Sequence, residues 1–150
     1  MTRTISLNLR IWRQGEVLEL AVPTVELGSG GVQRVLAWAG ALLQAPHRAL
    51  AAQRGIEPTG VFVAFHAFGS PASRNGLRGG LRIVEVDGQP TPDLDTFLAA
   101  VQGRAHREPV RVRALNWNNQ VEVLTLKLDN HYWPMYELVL QDGSWERRAL

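Results

Sequence analysis

At 150 residues the chain has room for one domain of ordinary size, or a small domain with an appendage, and for a core that needs no covalent staple. Its 45% hydrophobic and 20% charged residues fit an ordinary globular protein, and the lack of cysteine excludes disulfide scaffolds, zinc ribbons and thiol chemistry. The pI near 9.7 rests on a formal net charge of only +2, spread over scattered arginines, so the footprint of a nucleic-acid binder is missing; no apolar run nears the ~20 residues of a membrane span.

The chain opens as a hairpin. Ile5, Leu7, Leu9 and Ile11 alternate with Ser6, Asn8 and Arg10, the period-2 pattern of a half-buried strand. A turn at Arg13-Gln14-Gly15 leads into a second run that Pro23 closes. The glycines of 27–31 read as a linker. Residues 32–44 are rich in Ala and Leu and are helix-compatible by propensity alone. A short helix is expected from Pro46 to about Arg54, with Gly55 at its C-terminal end. Residues 61–65 and 81–86 read as strands, the second closed by Asp87-Gly88. Between them, Ser70-Pro71 can cap a single helical turn that Gly76 ends. Thr91 is the expected N-cap of the best-marked helix, with Pro92 at its first position and Asp93 and Asp95 at its positive end. Leu94, Phe97, Leu98 and Val101 fall at i, i+3, i+4 and i+7, and Gly103 stops the run.

The opening hairpin recurs. Ile5, Leu7, Leu9 and Trp12 match Val110, Val112, Ala114 and Trp117 at a constant offset. After one extra turn residue, Glu16-Val17-Leu18 and Leu20 match Glu122-Val123-Leu124 and Leu126.

Motifs for catalysis are missing. The histidines His47, His66, His106 and His131 share no i, i+4 metal-binding spacing. There is no G-x-S-x-G elbow, no H-E-x-x-H and no phosphate-cradling loop. No catalytic residue, metal or cofactor is expected in this chain.

Gly69-Ser70-Pro71-Ala72, then Gly76-Leu77, Gly80, Ile83, Val86-Asp87-Gly88 and Pro90 resemble, in this order and spacing, the central segment of a PDZ domain. The variety it looks most like is the one that follows the trypsin-like domain of HtrA/Deg serine proteases. Trp38-Ala39-Gly40-Ala41-Leu42-Leu43-Gln44 looks like that family's carboxylate-binding loop and first strand, and Asp129-Asn130-His131-Tyr132-Trp133-Pro134 resembles its multi-PDZ branch. The chain departs from the family at Leu81, where Asp is common, and at Ala39 and Ala41, where bulkier apolar residues are common.

The resemblance implies an α+β fold: a PDZ-like antiparallel β-sandwich or partly open barrel with two helices, plus the N-terminal β-hairpin. The implied domains are a hairpin over 1–27 resembling the tail of a preceding PDZ, a linker over 28–36, the PDZ over 37–128 and an extension over 129–150. The implied function is non-catalytic capture of C-terminal or extended peptide segments, as the regulatory part of a serine protease whose catalytic domain lies elsewhere. The peptide would add a strand beside Ala41, Leu42, Leu43 and Gln44. Amides of Ala39, Gly40 and Ala41 would hold its carboxylate, Arg34 would assist, and Trp38, Phe97 and Val101 would complete the groove. Two alternatives stand beside this: a structural PDZ whose groove is blocked and which mediates oligomer contacts, and a PDZ of a non-protease secretion or adaptor protein. The hairpin's open edge could pair with another chain. For a bacterial full-length protein the family would imply the periplasm.

Overall fold

The computed structural model describes residues 5–24, 31–55 and 57–150. Except for Gly31, the glycine-rich stretch expected as a linker lies outside the described residues. The chain divides into two compact units, Met1–Gly31 and Val32–Leu150.

The first unit is a hairpin of β1 (Ser6–Arg13) and β2 (Glu16–Pro23), paired without a break from Ser6↔Pro23 to Arg13↔Glu16. Gln14 and Gly15 both have left-handed backbone (φ 53° and 88°), the two-residue turn that matches strand twist. Leu7, Leu9, Leu18 and Leu20 share one face through the pairs Leu7↔Val22, Leu9↔Leu20 and Ile11↔Leu18, and all four leucines are exposed.

The second unit is built on an open antiparallel sheet. Its strands are β3 (Arg34–Trp38), β4 (Ala41–Gln44), β5 (Val61–His66), β6 (Arg82–Val86), β7 (Gln89–Pro90), β8 (Pro109–Leu115), β9 (Val121–Lys127), β10 (Tyr136–Gln141) and β11 (Ser144–Ala149). They lie in the order β11-β10-β3-β4-β5-β6-β8-β9, with β7 attached to β6, so the sheet does not close into a barrel.

Three short helices accompany it, because the expected single turn is itself a helix. These are α1 (Arg48–Arg54), α2 (Pro71–Arg74) and α3 (Leu94–Val101). Gly55 ends α1 in the left-handed conformation, where a Cβ would be penalised. Ser70 caps α2 by accepting from the Ser73 N–H at 3.1 Å. The cap of α3 is Asp93, two residues after the expected Thr91. Asp93 accepts from the Thr96 N–H at 2.8 Å while the Thr96 hydroxyl lies 3.3 Å from the Asp93 N–H, a reciprocal capping box. The Thr96 amide, and the Thr96 hydroxyl donating to the same Oδ1 at 2.8 Å, hold the Asp93 carboxyl below its ordinary pKa. Thr91 is instead buried, its N–H donating to Val84 O at 2.9 Å as a continuation of the sheet.

Leu36, Trp38, Leu43, Val63, Leu77 and Phe97 belong to one fully or nearly fully buried core. Two further differences concern the ends of the second unit. Residues 34–36, expected as linker, are strand and belong to this core at Leu36. The C-terminal stretch is also built into the sheet: β10 pairs with β3 from Tyr136↔Ala37 to Val139↔Arg34, and β11 pairs with β10 through a turn at Asp142-Gly143.

The repeated hairpin is β8–β9, and its pairing differs from that of β1–β2. Its loop is longer, organised by Asn116, whose side chain accepts from the Asn118 and Gln120 amides at 2.9 and 3.1 Å. Val112 therefore faces Leu124 and Val110 faces Leu126, whereas the matching Leu7 faces Val22. The apolar positions still share one face in each hairpin, because the slip is by an even number of residues.

Candidate functional site

The resemblance places peptide binding along the free edge of β4, and that edge is taken. On one side β4 pairs with β5, from Ala41↔His66 to Gln44↔Phe62. On the other it pairs with β3 through Leu36↔Leu43, Ala37↔Leu42 and Trp38↔Ala41. A strand hydrogen-bonded on both sides has no row of free amides and carbonyls to offer.

The turn between β3 and β4 explains this arrangement. Ala39 and Gly40 are both left-handed (φ 51° and 81°), the signature of a two-residue hairpin turn. A carboxylate-holding nest instead alternates right- and left-handed residues, so consecutive left-handed ones fold the chain back on itself. The turn's carbonyls are also fixed: Ala39 O accepts from the Ala72 N–H at 2.9 Å and Gly40 O from the Ala67 N–H at 2.8 Å. At Gly40 it is the protein that comes close, for a Cβ there would lie 2.2 Å from Ser70 Cβ and 3.0 Å from Trp133 Cε3.

The side chains expected around the groove come together, but on each other. Trp38 is buried and meets Phe97 edge to face, with ring centroids 5.3 Å apart. Phe97 and Val101 are core residues of α3, as are Ala39, Ala41 and Leu43 on their own elements. Leu42 alone among the apolar β4 residues is partly exposed, on the outer face. Arg34, expected to assist a ligand carboxylate, holds two protein carboxylates: its Nη1 lies 2.5 Å from Asp95 on α3 and its Nε 2.8 Å from Glu137 on β10. The Asp95 bond, with Glu137 in support, raises the Arg34 pKa above its already high ordinary value.

Against the sequence expectation, the main oversight is that Arg34–Trp38 is a strand. Its partner β10 was also missed, although Asp142-Gly143 is a strong two-residue hairpin signal. A second feature went unnoticed: a cleft of about 460 Å³ on the outer face, where Leu42 and Phe65 meet Tyr132, Trp133 and Tyr136.

The sequence profile of the PDZ-like domain family matches residues 32–105, the stretch that holds the β3–β4 hairpin, α2 and α3. Protease Do-like 7 of Arabidopsis thaliana is 43% identical over 149 residues, covering 97% of this chain and 14% of that protein. The pro-apoptotic serine protease nma111 of Aspergillus clavatus is 37% identical over 133 residues, covering 89% of this chain and 13% of its own length. Among solved structures, the HtrA-type protease AlgW with decapeptide superposes with a TM-score of 0.53 at 23% identity, covering 83% of this chain and 41% of that one. The HtrA3 PDZ domain bound to a phage-derived ligand superposes with a TM-score of 0.52 at 20% identity, covering 64% and 89%.

The second unit is thus a PDZ-like domain. It belongs to the kind found in Do-like, HtrA-type proteases, as its motifs implied. The chain spans about one-seventh of the curated relatives it matches, and these include a plant and several fungi, which lends the periplasmic expectation no support. No helix among the described residues is long and apolar enough to cross a membrane.

The crowding at Gly40 makes this position structural. Gly40→Val is expected to destabilise the second unit by about 3 kcal/mol or more, from the left-handed backbone and the overlap with Ser70. Gly40→Ala should cost nearly as much, since the overlap begins at Cβ. Urea unfolding measures both, and an unchanged midpoint would contradict the packing described.

Proposed function

We propose that this chain is a non-catalytic PDZ module of a Do-like serine protease, and that its C-terminus-reading groove is closed by its own strand β3. The pairing of β4 on both edges carries this reading. A peptide whose carboxylate sat at residues 39–41 would have to run antiparallel to β4. Strand β3 already does so, ending at that turn with Trp38 against Phe97. The domain is in effect occupied by a covalently attached ligand.

Energetics support closure over simple competition. A micromolar peptide brings about 8 kcal/mol. Extracting a buried tryptophan costs about 3–5 kcal/mol by itself, before the β3–β10 pairing and the Arg34 ion pairs are counted. What is left corresponds to millimolar affinity or weaker. Similar solved HtrA-type structures carry a decapeptide or a phage-derived ligand; strand addition beside β4, the mode the sequence motifs imply, would require an edge that is filled here. Closure favours a scaffolding or contact role for the groove face, which was the alternative expected for a blocked PDZ.

The hairpin supports a second element of the proposal: it is the closing hairpin of another PDZ-like domain upstream. Leu7 and Leu9 are 50% and 44% exposed, whereas the matching Val112 and Ala114 are fully buried in the second unit. Leu20 is exposed where Leu126 is buried. Apolar residues in that pattern fit the core of a domain like this one, and a hairpin of two strands is marginal without one.

Two experiments test these proposals. Fluorescence anisotropy with free-acid peptides ending in Phe or Leu should give no saturable binding below about 1 mM, an interaction of roughly 4 kcal/mol. Micromolar binding that amidation abolishes would overturn closure. For the hairpin, Leu9→Ala should leave residues 1–150 within about 0.5 kcal/mol of the parent. In a chain extended upstream by one domain's length, the same change should cost about 2–5 kcal/mol. Equal effects in the two proteins would refute an upstream partner.

A further inference from the structure

We propose that the face carrying Tyr132 and Trp133 docks an acidic peptide segment that bears a large apolar side chain. This goes beyond the closed groove but rests on the same β3–β4 pairing, because Ala37, Gly40 and Ala41 help line one of its clefts. Tyr132 and Trp133 form a ridge shared by two clefts of the second unit.

The first cleft, about 460 Å³, is apolar and aromatic, and its lining includes Leu42, Phe65, Pro134 and Tyr136. Among the described residues its one charged lining residue is Arg147, whose guanidinium lies 4.0 Å from the centroid of the Tyr136 ring. Stacked on a ring face, a guanidinium keeps its in-plane N–H donors available to a carboxylate. The second cleft, about 590 Å³, is lined by Arg74, Arg107 and Lys127, with His106 and His131 beside them. Among the described residues, the only carboxylate lining either cleft is Asp129, whose Oδ1 accepts from the Tyr132 N–H at 3.2 Å and lies 3.8 Å from His106 Nδ1.

The charge pattern selects the occupant. Several arginines elsewhere in this unit meet carboxylates: Arg34 with Asp95 and Glu137, Arg78 with Glu122, Arg104 with Asp87 and Glu108, Arg113 with Glu85; Arg48, Arg82 and Arg111 do not, but they line neither cleft. Among the described residues, Arg74, Arg107, Lys127 and Arg147 make no ion pair. Four unpaired cations flank an exposed aromatic ridge on which Tyr132 is 83% exposed. A segment with one apolar side chain in the aromatic cleft and acidic residues over Arg74, Arg107 and Lys127 satisfies both halves. A polyphosphate strand fits less well, because its affinity rests on many phosphate contacts and the whole chain carries a net charge of only +2.

The test uses the full chain and fluorescent peptides blocked at both ends, so that no terminal carboxylate takes part. A peptide with one Trp flanked by Glu residues should bind in the micromolar range and weaken with added salt. Replacing its Glu by Gln should weaken binding about tenfold or more, the scale of one charge-assisted hydrogen bond. Tyr132→Ala, Arg107→Gln and Lys127→Gln, all at exposed positions, should each weaken it several-fold without moving the unfolding midpoint. The proposal fails if the Glu and Gln peptides bind alike, or if these variants bind as the parent does. It also fails if an oligothymidylate of equal charge binds more tightly than the peptide, which would make the face a nucleic-acid surface.

Discussion

Much of the second unit depends on the antiparallel pairing of β3 with β4 across the two-residue turn Ala39-Gly40. It folds Trp38 back onto Phe97, and places Arg34 between Asp95 and Glu137. It also supplies the edge on which β10, and then β11, extend the sheet. The edge of β4 that the sequence motifs assign to a peptide is here paired with β3. The same turn is anchored from below by the Ala67 and Ala72 amides and from the side by Ser70 and Trp133. Opening the groove would disturb α2, the end of β5 and the core of α3 together.

Much of the fold was legible in the sequence because local chemistry and global packing agree there. The i, i+3, i+4, i+7 spacing of Leu94, Phe97, Leu98 and Val101 gave α3, and Ser70-Pro71 gave α2. Strands β5 and β6 followed from β-branched runs with clear turn residues. The cap of α3 was misplaced by two residues, since Thr91 and Asp93 are both good caps and only the reciprocal bond to Thr96 decides between them. What could not be read was where β3 would pair. A short run such as Arg34–Trp38 has no local signal that separates a linker from a strand, and its partner β10 lies about a hundred residues away. The motif Trp38-Ala39-Gly40-Ala41 pointed to the right family, yet its residue types do not say which strand will pair with the edge of β4. The small side chains at 39 and 41, read as room for a ligand, are instead buried in the core.

Closure redistributes what the domain can offer. The polar edge of β4 is spent within the fold, and most charges nearby are paired. The face around Tyr132, Trp133 and Arg147 combines an exposed and a half-buried ring with cations that make no ion pair. Such a combination of apolar anchors and charges is how a surface gains affinity without an open strand edge.

Amide hydrogen exchange on the intact chain tests closure most directly. If β3 is an integral strand, the amides of 35–38 should be protected to the same degree as those of Val63 in β5 and Val112 in β8, opening only with global unfolding. Exchange of 35–38 at loop rates, with β5 and β8 still protected, would show that β3 leaves the edge of β4 readily, and the groove would then be open to peptides.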